Sequence, residues 1–231
     1  MSDLLLDVVR SFSDRQVAPR SADIDAADEI PDELVDAMRE LGLVGLTTTD
    51  LDAVSLLTVI EQVARACPSV ALLVAAPDGT VGQPRFTVGL RGLRTGAVPT
   101  TLDGPFRYAV AAAAIGSAQY AHDQSVLYLS SRRAFGRHLI DIPVLRQATS
   151  TMHARLSHAR HAVHASARDT DSSETDVVAV TFDAARVATA VAYSAIELHG
   201  GYGYMCEYPL ERIARDCVSL RALVAPSFAS A

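Results

Sequence analysis

The chain has 231 residues, enough to bury a sizeable core in one large or two small domains. Its 27 acidic residues outnumber 20 basic ones for a net charge of -7, and every basic residue is arginine because there is no lysine. That balance argues against sequence-independent nucleic-acid binding, which needs a cationic footprint; the missing lysine excludes a lysine Schiff base and the lysine of a phosphate-binding P-loop.

The first helix is expected over residues 3–18, with Leu5, Val8, Val9 and Phe12 on one face, Ser2 or Asp3 as its cap and Pro19 as its stop. Residues 23–30 read as an acidic connector. Pro31 opens a second helix at its first turn and Gly42 closes it. Residues 47–52 cap a third helix over 53–66, with Leu56, Leu57, Ile60 and Val63 inward. Residues 72–103 are rich in Gly, Pro and Thr; within them 85–89 and 97–102 have the composition of two short strands, a small hairpin lying on the helices. A long helix over 105–133 has Gly116 as its one weak point. A second runs from Pro143 to Arg168, a third over 177–198 is apolar nearly all round, and a last covers 209–223. The segment 169–176 is a loop or a capped helix start. The expected fold class is mainly α: N-terminal helices over 1–71, a short linker with a β remnant over 72–103, and an antiparallel helical bundle over 104–231.

Cys67, Cys206 and Cys217 are odd in number, fit no paired metal spacing and read as buried free thiols in a reducing compartment. No metal site is expected: His158, His161 and His164 recur at intervals of three, but Arg155, Arg160 and Arg168 interleave them, which suits a solvated polar face better than a cation. The acidic N-terminus lacks the basic region of a signal peptide, and the apolar run 108–120 is too short to span a bilayer, so a soluble cytoplasmic protein without a membrane span is expected.

Two stretches carry the functional signal. The first, residues 195–216 (AIELHGGYGYMCEYPLERIARD), joins two helices through Gly200, Gly201 and Gly203. Glycines there let backbone approach backbone, or a ligand, where a Cβ would clash. The second, Tyr128-x-x-x-Arg132-x-x-Phe135-Gly136, ends the first long helix. By themselves these read as a structural corner and as an arginine answering a helix C-terminal dipole. The pattern GG-x-GY-x-x-EYP-x-ER-x-x-RD, however, resembles the C-terminal corner of the acyl-CoA dehydrogenase family. The Arg132/Phe135 stretch resembles that family's second signature, and the order IP-x-EL…MREL-GL-x-GL resembles its N-terminal helical domain. The resemblance covers about residues 1–71 and 85–224, with most of the family's middle β-domain missing.

The resemblance implies FAD, acyl thioester substrates and assembly through the C-terminal bundle, with Arg132 reaching the FAD pyrophosphate, Phe135 packing beside it, and Gly200 and Gly201 forming the cofactor-side turn. It also identifies departures. Pro143 and Glu197 stand where the family has glutamines. Val224 stands where the family has the glutamate that removes the α-proton of the thioester, and Phe106 stands at the alternative position of that base. Neither accepts a proton. Glu197 and His199 are the remaining catalytic candidates, although His199 reads more simply as satisfying a backbone group. Three functions are open at this point: a degenerate partner subunit working with a full-length relative, a self-contained FAD-dependent oxidoreductase with altered chemistry, or a non-redox protein that reuses the bundle cavity.

Overall fold

The computed structural model describes residues 3–46, 50–76, 90–91 and 102–225. The N-terminal part comprises α1 (Asp3–Phe12), α2 (Ser21–Ala27), α3 (Asp32–Glu40), α4 (Ala53–Ala64) and α5 (Pro68–Ala75). The C-terminal part comprises α6 (Gly104–Ser131), a two-stranded ribbon of β1 (Arg133–Ala134) and β2 (Arg137–His138), α7 (Pro143–Arg168), α8 (Glu174–His199) and α9 (Leu210–Val224).

The bundle is built around α6. Its residues Ala109 to Ala118 are buried on every side of the helix, and it packs against α4, α5, α7, α8 and α9. A helix buried all round has no amphipathic stripe, and its run of alanines lets five neighbours approach closely. The crossing with α4 occurs at Gly116, where a Cβ would lie 2.3 Å from the carbonyl oxygen of Glu61. The expected weak point of the helix is thus the place where two backbones touch.

Caps at several helix starts follow from short polar residues. The Asp52 carboxylate accepts from Ser55 N at 3.0 Å, Asp103 accepts from Phe106 N at 2.9 Å, and Ser173 accepts from Asp176 N at 3.2 Å. Each satisfies a backbone donor that has no partner within its helix. Gly42 ends the second expected helix in the left-handed region, φ +66°.

The structure differs from the sequence expectations in five places. Residues 23–30 are not simply a connector: α1 passes through a π-helical turn (Ser13–Val17) and a 3-10 turn (Ala18–Arg20) into α2. Pro19 sits at the start of that 3-10 turn, where its missing N–H costs no hydrogen bond, so it does not stop the chain's coiling. Pro68 likewise opens α5, which extends past residue 71 to Ala75. Of the expected strands, 85–89 and 97–101 lie outside the described residues and Leu102 is not in a strand; the ribbon that is present lies after α6 instead. Finally, α8 is not buried all round. It covers Val177, Thr181, Ala184, Ala188, Ala192 and Ala195 while exposing Asp183, Arg186, Tyr193 and Glu197. It is long and apolar enough by composition to cross a membrane, but it packs against α6, α7 and α9.

The N-terminal helices are fastened to the bundle by ionic contacts. The Arg215 guanidinium donates to both carboxylate oxygens of Asp25, at 3.0 and 2.7 Å, and to Glu211 at 2.5 Å. Arg212 donates to Ser21 Oγ at 3.1 Å. Asp216 is buried and accepts from Leu90 N at 2.7 Å. The charged residues of the ERIARD motif therefore fix α9 against the N-terminal part.

Candidate functional site

The two stretches that carry the functional signal meet at one end of the bundle. Tyr128 in the last turn of α6 stacks on His199 at the end of α8, with ring centroids 4.3 Å apart. Four residues beyond Tyr128 the chain leaves α6 at Arg132, whose N–H donates to the Tyr128 carbonyl and whose own carbonyl accepts from Leu139 N, both at 2.9 Å. One residue beyond His199 it turns at Gly200. The stack thereby joins the helix end from which the ribbon leaves to the helix end from which the glycine corner leaves.

The ribbon pairs Arg133 with His138 and Ala134 with Arg137. Phe135 and Gly136 fill its two-residue turn with φ of +51° and +76°, the pattern of a tight hairpin turn whose twist matches that of its strands. A phenylalanine in the left-handed region is uncommon, and here the ring is 89% exposed. The ribbon thus holds an aromatic outward at its tip. The Arg132 side chain is also exposed, with no hydrogen-bond or ion-pair partner among the described residues.

The three corner glycines are not equivalent. Gly200 has φ +57° and ψ -134°, a conformation essentially confined to glycine. Gly203 has an ordinary backbone, but a Cβ on it would lie 2.4 Å from the Ile196 carbonyl oxygen. Gly201 is required by neither geometry nor packing: its nearest neighbour to a Cβ is the Tyr204 hydroxyl at 3.7 Å. It is exposed, so it is the glycine of the corner that the fold leaves free for an approaching group.

His199 is buried, and its Nδ1–H donates to the Ala195 carbonyl at 2.8 Å. Burial holds its pKa below the ordinary imidazole value, outweighing that hydrogen bond, so the ring is neutral at pH 7. Stacked on Tyr128, it acts as a spacer between α6 and α8. Glu197 lies exposed on the last turn of α8. The two residues that the resemblance sets at the positions of the family base have apolar side chains. Val224 is fully buried at the end of α9, and its carbonyl accepts from Arg107 at 3.2 Å. Phe106 lies half-buried in the first turn of α6. Pro143 is the exposed first residue of α7.

The same stretches identify the lineage. The model of the acyl-CoA dehydrogenase C-terminal domain matches residues 100–223, and that of the N-terminal domain matches residues 2–105. The chain belongs to the acyl-CoA dehydrogenase family. The two matches meet at residues 100–105, so N- and C-terminal domains follow one another directly. The caffeyl-CoA reductase-Etf complex subunit CarC of Acetobacterium woodii is 33% identical over 114 residues, 48% of this chain and 30% of that protein. An acyl-CoA dehydrogenase of Bacillus subtilis is 30% identical over 182 residues, 77% of this chain and 41% of that protein. The chain thus spans less than half the length of either. A glutaryl-CoA dehydrogenase from Mycobacterium smegmatis, solved in complex with FADH2, shares the fold with a TM-score of 0.77 at 15% identity, over 98% of this chain and 92% of that one.

Two sequence expectations need correction within this acyl-CoA dehydrogenase-like frame. Cys67 and Cys217 are buried, with thiol pKa values pushed up by burial, to about 11 for Cys67. Cys206, however, is exposed, because the turn between Tyr204 and Pro209 lies on the surface. The α7 polar face is not solvated throughout: His164 Nε2 lies 3.2 Å from one carboxylate oxygen of Glu61, and Arg160 Nε donates to the other at 2.6 Å. Glu61 is itself only 8% exposed. Arg160 continues to Gln119, Gln119 to Asp123, and Asp123 to Arg65. Burial works to raise the Asp123 pKa, but the hydrogen bonds from His122, Arg65 and Gln119 outweigh it and hold it at about 2. This network ties α4, α6 and α7 together. Its signal in the sequence was Glu61, a lone carboxylate on the apolar face of α4, opposite Arg160 and His164 at a helical spacing of four. Among the described residues no group of three or more His, Cys, Asp and Glu side chains is placed to hold a metal ion.

Proposed function

We propose that this chain acts as a degenerate partner subunit of an acyl-CoA dehydrogenase-type assembly and does not oxidise acyl thioesters by itself. What supports the reading is that Val224 and Phe106, which the resemblance sets at the base positions, are apolar. Valine and phenylalanine cannot remove an α-proton, and Val224 is sealed in the core. The ribbon and corner, in contrast, retain what a subunit would present to a cofactor held largely by another chain. Arg132 offers an exposed guanidinium, without a partner among the described residues, for a pyrophosphate. Phe135 offers an exposed ring beside it, and Gly201 offers open backbone.

These residues fit FAD as an edge contact. FAD would supply hydride acceptance when bound; this chain's part is to position its phosphates. Glu197 on the neighbouring turn places a negative charge near the corner and weakens that contact when the chain is alone. A role as one subunit among others is in keeping with the naming of the Acetobacterium woodii relative as a subunit of a reductase–Etf complex.

The test is co-expression with a full-length acyl-CoA dehydrogenase of the same cell. The expected result is a mixed assembly that retains flavin, from which Arg132→Ala releases flavin without dissociating the chains. Stoichiometric flavin on the isolated chain after gel filtration would overturn the partner reading.

A further inference from the structure

A second polar site lies away from the corner, where α1 passes through its π-helical turn. A cavity of about 110 Å³ is lined there by Ser13, Ser21, Gln62, Arg65, Tyr120 and Arg212, with Asp14 at its rim. π-Turns interrupt helices at a cost in regular hydrogen bonding and recur at functional sites. Ser13, the first residue of this one, is 1% exposed, yet its hydroxyl has no hydrogen-bond partner among the described residues. A buried hydroxyl left unpaired is unfavourable, and this one borders a polar cavity rather than an apolar wall.

The lining is rich in donors and carries excess positive charge. Arg212 donates to Ser21 Oγ at 3.1 Å and has no ion-pair partner among the described residues. The carboxylates around Arg215 do not supply one: Glu211 and Asp25 are engaged by Arg215, and burial raises the Asp216 carboxyl to about 7 despite the nearby arginines. Arg65 brings a second guanidinium, one nitrogen of which donates to Asp123 outside the lining. Hydroxyls from Ser13 and Tyr120 and the amide of Gln62 complete the set, while the Ser21 hydroxyl is committed to the Ala18 carbonyl at 2.8 Å. Among the described residues the only carboxylate on the lining is that of Asp14, which is exposed.

We propose that this cavity binds a small tetrahedral oxyanion such as inorganic phosphate, bridging the π-turn to Arg212 of α9. Guanidinium and hydroxyl donors converging from several elements suit such an anion, and the volume admits a free anion rather than a nucleotide. The bound anion clamps α1 and α2 to α9, the helix that follows the glycine corner.

The test measures thermal unfolding of the full chain in sodium phosphate against sodium chloride and sodium acetate at equal ionic strength and pH. Phosphate should raise Tm along a saturating curve, with chloride and acetate giving no saturating rise. Arg212→Gln should weaken the apparent phosphate affinity at least tenfold. Ser13→Ala, which removes the unpaired hydroxyl, should fold normally and weaken it several-fold, and phosphorus NMR titration of the same variant should report the same loss. A rise that does not saturate, one matched by acetate, or one unchanged in both variants would overturn the site. None of these results depends on flavin binding or partner assembly, so the proposal fails or stands separately from the subunit role.

Discussion

Gly116→Ala probes the packing on which the bundle rests. The new Cβ would lie 2.3 Å from the Glu61 oxygen and 2.9 Å from its carbonyl carbon and Cα. Carbon–oxygen approaches of about 3.3 Å are already close, so α4 and α6 must separate by about 1 Å. The opposing atoms are all backbone, and no flexible side chain can swing aside. Overpacking of this kind costs about 1–3 kcal/mol and more where backbone must move, whereas alanine favours the helix over glycine by about 1 kcal/mol. The net expectation is a loss of about 1–2 kcal/mol, a fall in Tm of about 2–8 °C for a chain of this size. Urea and thermal unfolding of the variant, with Gly201→Ala as control, measure it. Gly201 has space for a Cβ, so the control should stay within about 0.5 kcal/mol of the parent. If Gly116→Ala were as stable as the parent or more so, the close helix crossing and the account of α6 built on it would be refuted.

Other consequences follow from the charged contacts and exposed surfaces. Glu61→Gln keeps shape but removes the charge that Arg160 and His164 face; a loss of about 1–3 kcal/mol in urea unfolding is expected, and an unchanged midpoint would mean that the network adds nothing. Asp216 has a folded pKa raised to about 7, chiefly by burial, so the folded state binds the extra proton between about pH 4 and 7. Its contribution is therefore fully present below about pH 4 and lost as pH rises through 7. In Asp216→Asn this part of the pH dependence should flatten, and a parent stability that climbs from pH 5 to 8 with the same slope in the variant would contradict the assignment. The exposed Phe135, Leu127 and Val144 lead us to expect a dimer or larger assembly. Sedimentation showing only a 24.5 kDa species at micromolar concentration would rule that out.

The bundle was legible because its helices announce themselves in the chain. Pro143 and Arg168 bound α7 as expected, and the inward set of α4 is buried as the spacing predicts. What escaped was contextual. Pro19 looks like a stop, but it sits in a first turn where its missing donor is harmless, and Pro68 likewise opens a helix that the sequence pattern did not separate. Residues 177–198 look apolar all round because alanine and valine are mild enough to tolerate half-exposure. Burial on all sides is found instead in α5 and in the middle of α6, over 109–118, as the central place of α6 in the packing requires. At the corner, composition alone could not sort the glycines: backbone geometry explains Gly200, a neighbouring carbonyl explains Gly203, and neither accounts for Gly201. Glu61 stood out as a carboxylate on the apolar face of α4, but its partners could not be assigned until α4 and α7 were placed side by side, since they stand about a hundred residues apart.

The central proposal is that the chain lacks the base of an acyl-CoA dehydrogenase. The direct measurement is reduction of an artificial electron acceptor by the purified chain with added FAD and acyl-CoAs of short, medium and long chain. General-base catalysis is commonly worth about 10²–10⁴ in rate, and if Val224 and Phe106 stand at the base positions, as proposed, no turnover above the background without protein is expected. Val224→Glu alone should not restore activity, because Val224 is buried in the core and a carboxylate there gains no access to substrate. Turnover by the unaltered chain at ordinary enzyme rates, abolished by Glu197→Gln, would contradict the account and assign the proton transfer to Glu197.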